Sequence, residues 1–155
     1  MKAITFLAIS FIVFSSAFAQ SSPNAVVSAK VKKKFVKLYP NVKDVKWSVN
    51  KNIAHADFKL DGKEASIVFK ADTLFVTMIQ VKNSDFPVPV KKYFEKNYND
   101  YVIVKTGKMQ FAPIPGKNIC YAAEITNGKI TKRVTLYPDG KEMSVMDLSD
   151  TQKKQ

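Results

Sequence analysis

Apolar and polar positions along the chain follow a helical period and then a two-residue period, and this sequence of patterns occurs twice. Between Pro23 and Tyr39, the apolar residues Val27, Val31, Phe35 and Leu38 recur at helical spacing. Lys30, Lys32, Lys33, Lys34 and Lys37 cover the remaining faces. Ser22-Pro23 is a helix-start signal and Pro40 a stop, so the spacing predicts a helix over 23–39. From Val45 the period drops to two. Val45–Val49 reads as a strand and Asn50–Asn52 as a turn. Ile53–Leu60 sets Ala54, Ala56, Phe58 and Leu60 on one face and His55, Asp57 and Lys59 on the other. Asp61-Gly62 is a hairpin signal. Glu64–Lys70 follows with Ala65, Ile67 and Phe69 inward, then a turn at Ala71-Asp72 and a strand over Thr73–Val81.

The second pass opens at Asp85-Phe86-Pro87-Val88-Pro89, with Val90, Phe94 and Tyr98 as its helical stripe and Asn99-Asp100 as its end. Tyr101–Thr106 and Lys108–Phe111 read as two strands separated by Gly107, followed by a loop at Pro113–Lys117. Strands are then predicted at Ile119–Thr126, Ile130–Tyr137 and Lys141–Leu148, with turns at Asn127-Gly128 and Pro138-Asp139-Gly140. The passes align. Phe35 and Tyr39 match Phe94 and Tyr98, Val45 matches Val104, Ala56-Asp57-Phe58 matches Ala123-Glu124-Ile125, and Ile67-Val68-Phe69 matches Val134-Thr135-Leu136. The expected organisation is a tandem duplication. The first unit spans 20–84 and the second 85–148, with a polar tail at 149–155. Each half is too small to form a robust core alone, and joining the two sheets removes two exposed edges. The fold expected is α+β: one open antiparallel sheet of about eight strands with helices on one face.

The string Val31-x-x-x-Phe35-x-x-x-Tyr39-Pro40, Val45-x-Trp47, Ala56-x-Phe58, Asp61-Gly62 and the closing Leu136-Tyr137-Pro138-Asp139-Gly140 resembles the PepSY-like, or β-lactamase-inhibitor-like, exported proteins. The resemblance covers about residues 25–145. It implies a concave sheet backed by helices and a protein-binding or inhibitory role without catalysis. The first copy departs from the family pattern, with Lys70-Ala71-Asp72-Thr73 where an Asp-x-x-Gly-like turn is common.

Composition narrows the function classes. Residues 1–19 read as a secretory signal peptide: Lys2, the apolar run Ala3–Phe14, then Ala17-Phe18-Ala19 as a small-x-small site with cleavage after Ala19. The alternative is an uncut N-terminal anchor. A periplasmic or secreted location is therefore expected. The single Cys120 excludes a disulfide framework and a Cys-rich zinc module, and the single His55 excludes histidine-rich metal sites, so no metal and no cofactor are expected. Cys120, in an apolar stretch, reads as a small buried hydrophobe, with an intermolecular disulfide as the alternative. The formal charge is +12, yet Arg133 is the only arginine, so nucleic acid is not expected as a partner.

No carboxylate pair, nucleophile elbow or phosphate loop marks an enzyme, and His55 on a polar strand face reads as an exposed structural residue. The sheet face away from the helices is the expected docking surface for a protein or peptide partner of the cell envelope. Its candidate contact residues are His55, Lys59, Lys70, Arg133 and Tyr137, joined by the Pro113–Lys117 loop. Inhibition of a secreted or envelope hydrolase is one form this role can take. The alternative is a sensor or scaffold module that binds anionic polymers or surfaces through Lys30, Lys33, Lys34 and Lys37.

Overall fold

The computed structural model describes residues 26–112 and 118–149. The expected signal peptide, the Pro113–Lys117 loop and residues 150–155 lie outside the described residues.

Helix α1 spans Ala29–Leu38 and begins at Ala29, not at Pro23. Ser28 takes the capping role. Its backbone is extended (φ −61°, ψ 144°) and its hydroxyl accepts from the Val31 N–H at 3.2 Å. The same hydroxyl donates to Asp72 Oδ1 at 2.8 Å, which ties the helix start to the sheet. Four strands follow: β1 (Lys46–Asn50), β2 (Ile53–Leu60), β3 (Lys63–Lys70) and β4 (Thr73–Gln80). A short 3-10 turn (Asn83–Asp85) leads into α2 (Val88–Asn97), which has Pro87 as its cap. Four more strands complete the chain: β5 (Val102–Phe111), β6 (Ile119–Thr126), β7 (Thr131–Leu136) and β8 (Glu142–Asp147). All eight form one antiparallel sheet in chain order, joined in the middle by β4 and β5.

Both helices cover the same side, as the register shows. Ala65 lies in the α1 cluster and pairs with Ile79, which pairs with Lys108. Two residues away on β5, Thr106 pairs with Ala123, which lies in the α2 cluster. Side chains two apart on a strand share a face. Val31 and Phe35 of α1 pack on Ala56, Phe58, Ile67 and Phe69, while Val90 and Phe94 of α2 pack on Ala123, Ile125, Val134 and Leu136. The two helices end alike, with the Tyr39 N–H donating to the Phe35 carbonyl and the Tyr98 N–H to the Phe94 carbonyl, both at 2.9 Å. Even the irregularities recur: β3–β4 slips by one residue between Val68 and Phe69, and β7–β8 between Thr135 and Leu136. Such bulges bend the strand and increase its twist.

One local expectation is corrected. β5 is one strand, not two. Gly107 stays extended within it because Met78 of β4 lies against it, where an added Cβ would come within 3.2 Å of Met78 Cγ. A strand glycine here marks a close approach and not a break. At the β3–β4 turn, Ala71 and Asp72 both adopt positive φ (47° and 61°), the geometry that Asp-Gly or Asn-Gly turns usually supply. Contacts from α1 hold it. Besides the Ser28 bond, Lys34 Nζ donates to the Asp72 carbonyl at 2.7 Å.

Candidate interface on the uncovered sheet face

The register arranges the side chains opposite the helices into rows that cross the strands. One row runs Lys105 (β5), Glu124 (β6), Arg133 (β7) and Met146 (β8). A second runs Met78 (β4), Met109 (β5) and Cys120 (β6). Between them lie Gly107, Ala122, Thr135 and Ser144, all small. Among the described residues no helix lies on this side, yet Ala122 is 0% exposed and Thr135 6%. Gly107, Ala122 and Thr135 are shut off from solvent between rows of longer side chains, while Ser144 on the edge strand stays exposed.

The charges on this face are largely satisfied within it. Arg133 reaches Glu124 Oε1 with Nη2 at 2.6 Å and with Nε at 3.2 Å, both side chains being mostly buried. Lys105 is half-buried. Burial pushes its ammonium below the usual lysine range and the neighbouring Glu124 opposes that shift. Lys59 lies 3.8 Å from Glu64 at the outer end, where solvent leaves such a pair little energy. Asp57, Glu64, Ser66, Met78, Gln80 and Lys105 surround a cavity of about 20 Å³, room for a single water and too small for an organic substrate.

His55 departs from expectation. It is 5% exposed, not part of a solvated polar face, with Nδ1 3.4 Å from Asp57 Oδ2. Burial lowers its pKa and Asp57 partly opposes the shift. The imidazole is thus neutral in the folded protein near pH 7, whereas in the unfolded chain it titrates at about 6.5. As pH falls through that value, the unfolded chain takes up a proton before the folded one does. Stability therefore declines over the window between the two pKa values and levels off below the folded one. Urea midpoints followed from pH 7.5 to 5 should show this decline, and His55→Gln should flatten it.

The other sequence-predicted contact residues separate into groups. Arg133 is engaged with Glu124, Tyr137 is 38% exposed just past the end of β7, and Lys59 and Lys70 are exposed on β2 and β3. Ser66 and Thr135, which strand alternation places on this same face, are buried with His55. On α1, Lys30, Lys33 and Lys37 are exposed, while Lys34 is drawn down to the Asp72 carbonyl. Sequence reasoning missed Lys105 and the methionines. Splitting β5 at Gly107 hid the alternation Lys105, Gly107, Met109, Phe111 that would have placed them on this face.

No family model matches the sequence, and no curated protein matches it. Solved structures do. A DUF2874 family protein from Bacteroides uniformis superposes with a TM-score of 0.71 at 19% identity, over 80% of this chain and 91% of that one. A BLIP-like protein from Bacteroides fragilis gives 0.67 at 20% identity, over 82% and 90%. A Bacteroides eggerthii protein, provisionally described as periplasmic, gives 0.72 at 19% identity, over 81% and 92%. The chain has the BLIP-like fold. Among the described residues, no helix is long and apolar enough to cross a membrane.

Proposed function

We propose that this chain is an exported, noncatalytic binding module. In this reading the signal peptide is removed after Ala19, the two αββββ units descend from a PepSY-like duplication, and the mature protein works in the periplasm or outside the cell. It holds a protein or peptide partner of the envelope on the uncovered sheet face. The observation that carries the reading is the make-up of that face. Flexible methionines and the Phe75–Phe111 pair (ring centroids 5.8 Å apart) lie to one side of a charge row that is already paired. Methionine-rich surfaces re-pack around varied partners, and pre-paired charges cost little further desolvation. The likeness to a BLIP-like protein supports an inhibitory form of this role, directed at a secreted or envelope hydrolase.

The second reading rests on the exposed Lys30, Lys33 and Lys37 stripe of α1, which would hold anionic polymers or surfaces. Ionic strength separates the two. Partner capture from an envelope fraction should persist at 0.5 M salt and fall at least tenfold with Tyr137→Ala or Arg133→Ala. Capture lost at moderate salt and unaffected by both substitutions would instead place binding on the lysines.

A further inference from the structure

Among the described residues, no three His, Cys, Asp or Glu side chains converge as metal ligands. Thioethers are a different donor class. Every methionine beyond Met1 lies on the uncovered face with Cys120, and neither helix-side cluster contains one. A thiol alone would carry no site. Here Met143, the bulge residue of β8, reaches back across β7 and sets its Sδ 3.4 Å from Cys120 Sγ. One ion with metal–sulfur bonds of roughly 2.3 Å can bridge two sulfurs at that spacing. Met109 is the register partner of Cys120 across β5–β6 and shares its face, which puts a further thioether on the strand beside the thiol.

Cys120 is 1% exposed and Met143 41%, so an ion would enter on the Met143 side. The immediate floor is apolar, with Ala122 next to Cys120 on this face. Among the described residues no carboxylate cluster accompanies these sulfurs, and thiolate and thioether donors select soft ions.

We propose that Cys120, Met143 and Met109 form a binding site for a soft monovalent cation, Cu(I) or its surrogate Ag(I). The site is independent of whether the face also docks a protein. On binding, the Cys120 S–H bond breaks, a sulfur–metal bond forms and the proton leaves to solvent, with no change in oxidation state. Because the metal displaces the thiol proton, affinity should weaken as pH falls.

The test uses the full chain. The reduced protein is titrated anaerobically with Cu(I) held by a competing chelator, and separately with Ag(I), reading affinity, stoichiometry and thermal midpoint. The expected result is one ion per chain, one proton released per ion and a raised midpoint. Met143→Leu and Met109→Leu keep volume and apolarity, so the metal-free variants should remain folded. Each should weaken binding at least tenfold, and Cys120→Ser should abolish it. No binding overturns the proposal. So does an affinity unchanged in the Met109→Leu/Met143→Leu double variant, which would reduce the site to one reactive thiol.

Discussion

Phe69→Ala lowers stability by about 3–5 kcal/mol, the cost of emptying a large and fully closed core position. Phe69 projects from β3 into the α1 cluster, opposite Leu74 across β3–β4 and beside Ala54 of β2. Leu136 holds the matching place under α2, and Leu136→Ala should cost about 2–5 kcal/mol. The pair also tests whether the sheet unfolds as one piece. Trp47, the only tryptophan, packs against Phe35 in the first half, with rings 5.3 Å apart. Its fluorescence therefore reports that half alone. Because β4 and β5 share a hydrogen-bonded ladder, Leu136→Ala should move the Trp47 midpoint in urea as far as the far-UV dichroism midpoint. A Trp47 transition indifferent to Leu136→Ala would show two halves melting separately.

Gly140→Ala is the second large effect, and it depends on contact more than on backbone preference. Gly62, Gly128 and Gly140 all hold positive φ, at 76°, 86° and 84°. A side chain there costs roughly 1 kcal/mol through the left-handed backbone alone. Around Gly62 and Gly128 an added Cβ meets nothing, whereas at Gly140 it comes within 2.9 Å of the Pro89 carbonyl oxygen. That atom belongs to the first turn of α2 and cannot swing aside as a flexible side chain would. Thermal melts should show Gly62→Ala and Gly128→Ala as mild and nearly equal, and Gly140→Ala as at least twice as costly. Equal losses at all three sites would mean that α2 shifts freely over the β7–β8 turn.

Alternation made most of the fold legible. Ile53–Leu60 is bounded as its pattern implies, because Ala54, Ala56 and Phe58 leave one register that buries them and Asp61-Gly62 supplies the turn. Long-range contacts produced the departures. The start of α1 moved to Ser28 because Asp72, distant in sequence, holds that hydroxyl. Gly107 did not break β5 because Met78 lies over it. The candidate site was harder to read. Period two places His55, Ser66 and Thr135 on the side of the sheet away from the helices, but it carries no information on how far neighbouring strands' side chains shut such positions off from water.

The paired one-residue slips, at Phe69 in one half and Leu136 in the other, have a bearing on how such a chain can change over generations. The bends are written into the backbone as one inserted residue in each half, so they need no particular side chain around them. Substitution of those neighbours can then proceed without moving the bends, which fits solved structures that keep this fold while sharing only about a fifth of their residues with the chain.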